Sequence, residues 1–160
     1  MGINVHHCQR VDVSVSETRV RTCVVANPSS CTGCGICIAT CSLVKTGEIG
    51  IGAARLRVQR DPFAGLFEPI VCSQCSIPYC LKACKSGAIT ISSDDGSVRI
   101  NETDCIGCRS CQRACPYGVI VFNVESKKAY KCDLCSGSPA CVDSCPSGAL
   151  GLANFKGRVW

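Results

Sequence analysis

The stretch CTGCGICIATC at residues 31–41 decides the fold, together with its near repeat CIGCRSCQRACP at residues 105–116. The first holds Cys31, Cys34, Cys37 and Cys41 in the pattern C-x2-C-x2-C-x3-C, and the second holds Cys105, Cys108, Cys111 and Cys115 in the same pattern, followed by Pro116. Two more quartets vary the theme. Cys72, Cys75, Cys80 and Cys84 form C-x2-C-x4-C-x3-C; Cys132, Cys135, Cys141 and Cys145 form C-x2-C-x5-C-x3-C and precede Pro146. Sixteen of the 18 cysteines fall in these quartets. Three closely spaced thiolates with a fourth three residues on is the spacing that holds a [4Fe-4S] cubane. Four quartets imply four clusters, and a row of one-electron centres is suited to moving electrons.

The rest of the composition agrees. Aromatic residues make up 5% of the 160 residues, and many of the 46% counted as apolar are cysteines. The ordinary hydrophobic core is thin for this length. Where a metal site does not exist in the unfolded chain, metal-binding energy becomes folding energy, so the apoprotein is expected to be largely unfolded. The formal charge of +5 is offset once each cluster and its thiolates are counted at about −2, which brings the loaded protein to about −3. Lys82, Lys85, Arg109, Arg113 and Lys131 lie inside or beside the quartets and read as compensation for buried anions. Aromatics for base stacking are nearly absent, which argues against a nucleic-acid partner.

Along the chain, apolar segments follow the quartets. Gly87–Ile91, a turn at Ser93-Asp94-Asp95-Gly96, and Ser97–Ile100 read as a β-hairpin. Gly118–Phe122 and Lys127–Lys131 read as a second, with a turn near Glu125-Ser126; Gly148–Leu152 follows the last quartet. Arg55–Arg60 alternates as a strand and Asp61–Gly65 reads as a turn. Between the third and fourth cysteine of each quartet a helix of one or two turns is expected. Near the N-terminus, Val11, Val13 and Val15, then Val20, Thr22 and Val24, suggest two strands of a β ribbon. The C-terminal LANFKGRVW either anchors a partner through its aromatics or folds back on its own chain. The fold class is therefore α+β.

Other uses of the cysteines fit less well. Four-cysteine zinc sites use two well-separated C-x2-C pairs. A disulfide scaffold needs an oxidising compartment, and MGINVHHCQR shows neither a Sec nor a Tat signal. No run of about 18 apolar residues exists for direct membrane insertion. The expectation is a cytoplasmic protein. Cys8 and Cys23 lie outside the quartets and read as ordinary thiols, and His6-His7-Cys8 as an unpatterned terminus. There is no G-x-G-x-x-G after a strand and no Walker sequence. A cluster with four thiolates leaves no iron open to substrate, so a non-catalytic role is expected.

The stretches CTGCGICIATC, CIGCRSCQRACPYG and KCDLC…CVDSCPSGAL resemble the four-cluster, ferredoxin-like iron–sulfur subunits of molybdenum and tungsten pterin oxidoreductases, among them formate dehydrogenases, dimethyl sulfoxide-type reductases and aldehyde oxidoreductases. The resemblance implies pairing of outer with outer and inner with inner quartets. One cluster would take Cys31, Cys34, Cys37 and Cys145, and a second Cys132, Cys135, Cys141 and Cys41. A third would take Cys72, Cys75, Cys80 and Cys115, and the fourth Cys105, Cys108, Cys111 and Cys84. It implies two nested ferredoxin-like units: an outer one of residues 27–60 plus 125–152 and an inner one of 61–124, flanked by an N-terminal β extension (1–26) and a C-terminal tail (153–160). It implies a catalytic oxidoreductase partner, a tungsten aldehyde oxidoreductase being preferred, with a flavin subunit or ferredoxin as exchange partner and self-association as a further option. Alternatives are a free polyferredoxin carrier, or a subunit of a hydrogenase or carbon monoxide dehydrogenase. Ser42 and Lys85 depart from the pattern, standing where Pro follows the fourth cysteine in two-cluster ferredoxins.

Overall fold

A repeating unit of ribbon, cysteine loop and short helix builds the molecule, seen in a computed structural model that describes residues 18–61 and 63–158. Strand β1 (Thr18–Ala26) opens the described chain and leads through a 3-10 turn at Pro28–Ser30 into the first cysteine loop and helix α1 (Ile36–Thr46). Then come β2 (Arg57–Asp61), β3 (Leu66–Ile70), α2 (Tyr79–Lys82), β4 (Ile89–Ile91) and β5 (Val98–Ile100). The chain continues with α3 (Ser110–Ala114), β6 (Val121–Asn123), β7 (Lys128–Tyr130), a 3-10 segment at Leu134–Gly137, α4 (Ala140–Asp143) and β8 (Leu150–Arg158).

The strands of the described residues pair antiparallel in two-stranded ribbons: β1 with β8, β2 with β3, β4 with β5, β6 with β7. The two hairpins expected after the second and third quartets are present, with Ile89 opposite Ile100 and Val121 opposite Tyr130. The strand expected at Arg55–Arg60 is β2, and its partner β3 carries Pro69 opposite Val58. Proline is tolerated there because a two-stranded ribbon leaves the far edge of each strand unpaired.

β1 finds its partner at the other end of the chain, with Thr18 opposite Arg158 and Ala26 opposite Leu150. Alternation identifies a strand but not its neighbour. The Asn27 N–H bonds to the Ala149 carbonyl at 2.8 Å and closes the ribbon beside the first and last quartets. The tail thus folds back as far as Arg158. The expected strand at Val11–Val15, the run His6-His7-Cys8, and Val159 and Trp160 lie outside the described residues.

Helix α1 runs longer than the expected one or two turns. Ser42 stands where proline would stop it, and the helix continues to Gly47, whose φ of +79° and N–H bond to Leu43 O (2.8 Å) form a left-handed cap. Helix α1 packs on α4, and α2 on α3. Two buried apolar clusters form. The larger includes Val24, Leu56, Val71, Leu134 and Leu150, and five of its twelve buried members are cysteines of the quartets. The smaller joins Ile89, Val98, Ile120 and Ala129 around Cys111. Among the described residues, no helix is long and apolar enough to cross a membrane.

Candidate functional site

The four cysteine loops share one backbone device. The residue just before the second cysteine has positive φ in every quartet: Gly33 at 70°, Gln74 at 47°, Gly107 at 71° and Leu134 at 59°. A left-handed residue in such a turn points successive N–H groups into one concavity, which suits an anionic iron–sulfur group. At Gly33 an added Cβ would strike the Phe67 ring, and at Gly107 the Lys127 carbonyl. Gly35 and Arg109 occupy equivalent positions, each left-handed (φ 78° and 59°) and each the N-cap of the following helix. Arg109 bears the cost of that conformation and lays its guanidinium 3.9 Å from the centre of the Phe122 ring.

The x3 spacing is used in two ways. Cys37 and Cys41 both lie in α1, one turn apart on one face, whereas Cys84, Cys115 and Cys145 follow the short helices that carry Cys80, Cys111 and Cys141. Thiols of different quartets come together. Burial pushes the Cys37 thiol up, the Ile38 N–H opposes this, and the charges of Cys145, Cys34 and Cys31 add to the rise. Cys141 is pushed up to about 12, by burial first and then by Cys132, Cys41, Cys135 and Cys37. Cys75 is pushed up to about 11 by burial, then by Cys72, Cys80 and Cys115. Cys111 is raised by burial, opposed by the Gln112 N–H, and raised further by Cys105, Cys84 and Cys108. Crowded thiolates repel one another, and a positively charged inorganic core relieves that repulsion.

Three of these groups surround small hollows. Cys72, Cys75, Cys80 and Cys115 line one; Cys41, Cys132, Cys135 and Cys141 line another; Cys84, Cys105, Cys108 and Cys111 line a third. Among the described residues no three Cys, His, Asp or Glu side chains stand close enough to grip one metal ion. Four thiols around a shared hollow suit a polynuclear core with one thiolate per iron. Exposure differs among the groups: Cys34 and Cys108 are exposed, whereas Cys41, Cys72, Cys132 and Cys141 are buried.

Polar groups tune the sulfurs unequally. At Cys84 and Cys145 burial works against the thiolate but is outweighed. The Ser86 hydroxyl and the N–H groups of Ile89, Ser86 and Ala88 lower Cys84, and Leu150 N–H, the Ser147 hydroxyl, Ala149 N–H and Ser147 N–H lower Cys145. The two loops are C-K-S-G-A-I and C-P-S-G-A-L, one motif used twice. Beside Cys41, the Arg55 N–H points at the sulfur at 3.3 Å. Asp133 binds Lys45 at 2.8 Å and Arg55 at 2.9 Å. Burial opposes the Asp133 carboxylate, but Lys45, the Cys135 N–H and Arg55 hold it below the usual carboxylate range. Sequence reasoning missed Lys45, Arg55, Asp133 and Gln74, which no local pattern marks: Asp133 is 88 positions from Lys45 and 78 from Arg55, and Gln74 is 24 from Val98 and 58 from Cys132. Cys23 is buried on β1, 2% exposed, and lines a cleft with Arg57, Glu68 and Tyr117.

Ribbons that carry cysteine loops, and thiols grouped around hollows, define a ferredoxin-type iron–sulfur protein. The profile of the 4Fe-4S dicluster domain matches residues 63–155, and that of a 4Fe-4S binding domain matches residues 28–47. The chain belongs to the family of 4Fe-4S ferredoxin-like proteins. It is 37% identical to the polyferredoxin-like subunit of an aliphatic sulfonate oxidoreductase from Pyrococcus furiosus, covering 81% of this chain and 74% of that one. It is 34% identical to the beta subunit of an NADH-dependent phenylglyoxylate dehydrogenase from Aromatoleum evansii, covering 82% of this chain but spanning only 30% of that relative. Among solved structures, the active-site complex BamBC of benzoyl coenzyme A reductase with benzoyl-CoA contains a chain matching with a TM-score of 0.56 at 23% identity, over 89% of this chain and 84% of that one. That likeness is one of fold. The activity common to this family is electron transfer by 4Fe-4S subunits of oxidoreductases.

Proposed function

We propose that this protein carries electrons through a file of four [4Fe-4S] clusters as the iron–sulfur subunit of a larger oxidoreductase. The ligand sets are Cys31, Cys34, Cys37 with Cys145; Cys132, Cys135, Cys141 with Cys41; Cys72, Cys75, Cys80 with Cys115; and Cys105, Cys108, Cys111 with Cys84. The observation that carries this reading is the grouping of thiols from different quartets around shared hollows, Cys115 with Cys72, Cys75 and Cys80, Cys41 with Cys132, Cys135 and Cys141, and Cys84 with Cys105, Cys108 and Cys111; Cys145 lies within electrostatic reach of Cys37. Bound clusters supply one-electron oxidation and reduction. The chain's residues hold them, exclude water and bring neighbours close: Cys37 lies within electrostatic reach of Cys141, and Cys72 of Cys132. Cys80 in α2 and Cys84 beyond its end serve the two sets of the inner pair, as do Cys111 in α3 and Cys115 at its C-cap. The nested units of residues 27–60 plus 125–152 and of 61–124 follow from the same pairing, supported by the packing of α1 on α4 and α2 on α3.

The file has two ends, at the exposed Cys34 and Cys108, where electrons enter and leave. One end faces a catalytic subunit, with a molybdenum or tungsten pterin enzyme such as an aldehyde oxidoreductase as the preferred class. The sulfonate oxidoreductase relative, itself a subunit by name, supports a partner that performs the substrate chemistry. Anaerobic purification from native extract tests this. Co-purification of an oxidoreductase whose substrate bleaches or reduces the clusters is the expected result. A monomer that no oxidoreductase accompanies would make the protein a free carrier instead.

A further inference from the structure

Two buried cations meet on one residue between the second and third thiol groups. Lys131 is 3% exposed and Gln74 is 1% exposed. The Lys131 Nζ donates to the carbonyls of Val98 and Cys132 (2.8 Å to the latter) and to Gln74 Oε1 at 3.2 Å. Three acceptors use the three N–H bonds that only an ammonium has. Gln74 also donates Nε2 to the Cys132 carbonyl at 2.9 Å and accepts from Val98 N at 2.9 Å, and its own carbonyl accepts from Arg21 at 2.8 Å. Its left-handed φ of 47° is an unfavourable conformation for a glutamine and is held by these bonds.

Among the described residues no carboxylate forms an ion pair with Lys131, whose partners are all neutral carbonyls. A buried charge without a counter-ion is costly. Lys131 lines the hollow ringed by Cys72, Cys75, Cys80 and Cys115, and it adjoins and bonds to Cys132 of the next group. Its charge acts against the burial that raises Cys80 and Cys132.

We propose that Lys131 is the fixed charge at the junction of the file, a positioning residue that raises the potentials of the two clusters flanking it, the one in Cys72, Cys75, Cys80 and Cys115 and the one in Cys132, Cys135, Cys141 and Cys41. The inference rests on the four-cluster reading. One electron takes a four-thiolate cluster from about −2 to about −3, and a nearby ammonium favours the more negative state. The end clusters, away from Lys131, feel it less.

The test is an EPR-monitored redox titration of the anaerobic full-length holoprotein, with iron content measured on the same samples. In Lys131→Met, two of the four one-electron steps should shift at least tenfold toward the oxidised form, about 59 mV lower, while the other two stay put. Lys131→Arg keeps the charge and should stay near the parent values. Gln74→Glu is isosteric, pairs with Lys131 and cancels its field, so it should lower the same two steps and decides the matter if Lys131→Met fails to load. Four unmoved steps, or four moved alike, overturn the proposal. So does loss of iron from Gln74→Glu, since a carboxylate beside an ammonium should steady the junction. A parent protein without iron would instead overturn the cluster reading itself.

Discussion

Gly107 and Gly87 both have positive φ, 71° and 72°, but their surroundings differ. Open space surrounds Gly87, whereas a Cβ on Gly107 meets the Lys127 carbonyl. Gly87→Ala should cost about 1 kcal/mol, the ordinary left-handed penalty. Gly107→Ala adds a backbone collision beside Cys108, so iron content should fall by about a quarter as one cluster of four is lost. Parallel iron assays on the two variants separate strain from collision. Asp95 gives a residue-scale pH dependence. Burial opposes its charge, but Ser97 and Arg99 outweigh this and bring its pKa to about 2 from 3.8. A depressed folded pKa means the stabilisation is complete above about pH 4 and is lost as pH falls toward 2. After discounting for solvent screening, Asp95→Asn should cost about 1 kcal/mol at pH 7, read as a lower Tm. The sixteen cysteines were legible because their spacing is local. Asp133 was not, since its bond to Arg55 spans 78 positions and nothing in C-D-L-C announces it.

At the scale of elements, propensity explains little of the helices. α2 and α4 have four residues each, far below the length at which a helix holds alone in water. Their existence depends on what anchors Cys80, Cys84, Cys141 and Cys145. The hairpins were legible from apolar segments about a turn, Asp95-Gly96 in the first and the stretch near Glu125-Ser126 in the second, and β2 from its own alternation. β3 was not, because Leu66–Ile70 carries a proline and shows no strand period. The reach of α1 follows from Ser42 once proline is seen to be missing, yet the stop at Gly47 needed the structure. The β1–β8 pairing joins chain ends that no local signal connects. Deleting residues 153–160 should strip β1 of most of its partner and expose its edge. The expected result is a lower Tm with aggregation on heating, measured by scattering, while the inner hairpins β4–β5 and β6–β7 persist.

For the whole molecule, the larger buried cluster owes five of its twelve members to quartet cysteines. Clusters bridging Cys37 to Cys145 and Cys80 to Cys115 would act as cross-links where side-chain packing is thin. Removal of iron by a chelator should therefore unfold the chain, read as loss of the far-UV signal, and anaerobic reconstitution should restore it. Charge belongs to this scale too, since the +5 of the polypeptide becomes about −3 when loaded, and the loaded protein should bind an anion exchanger at neutral pH. The central claim, four cubanes in sixteen thiolates, is tested most directly by counting iron and acid-labile sulfide in the anaerobically purified protein. The expected result is a brown protein with about 16 of each per chain. A count near eight, or a colourless protein containing zinc, would contradict it.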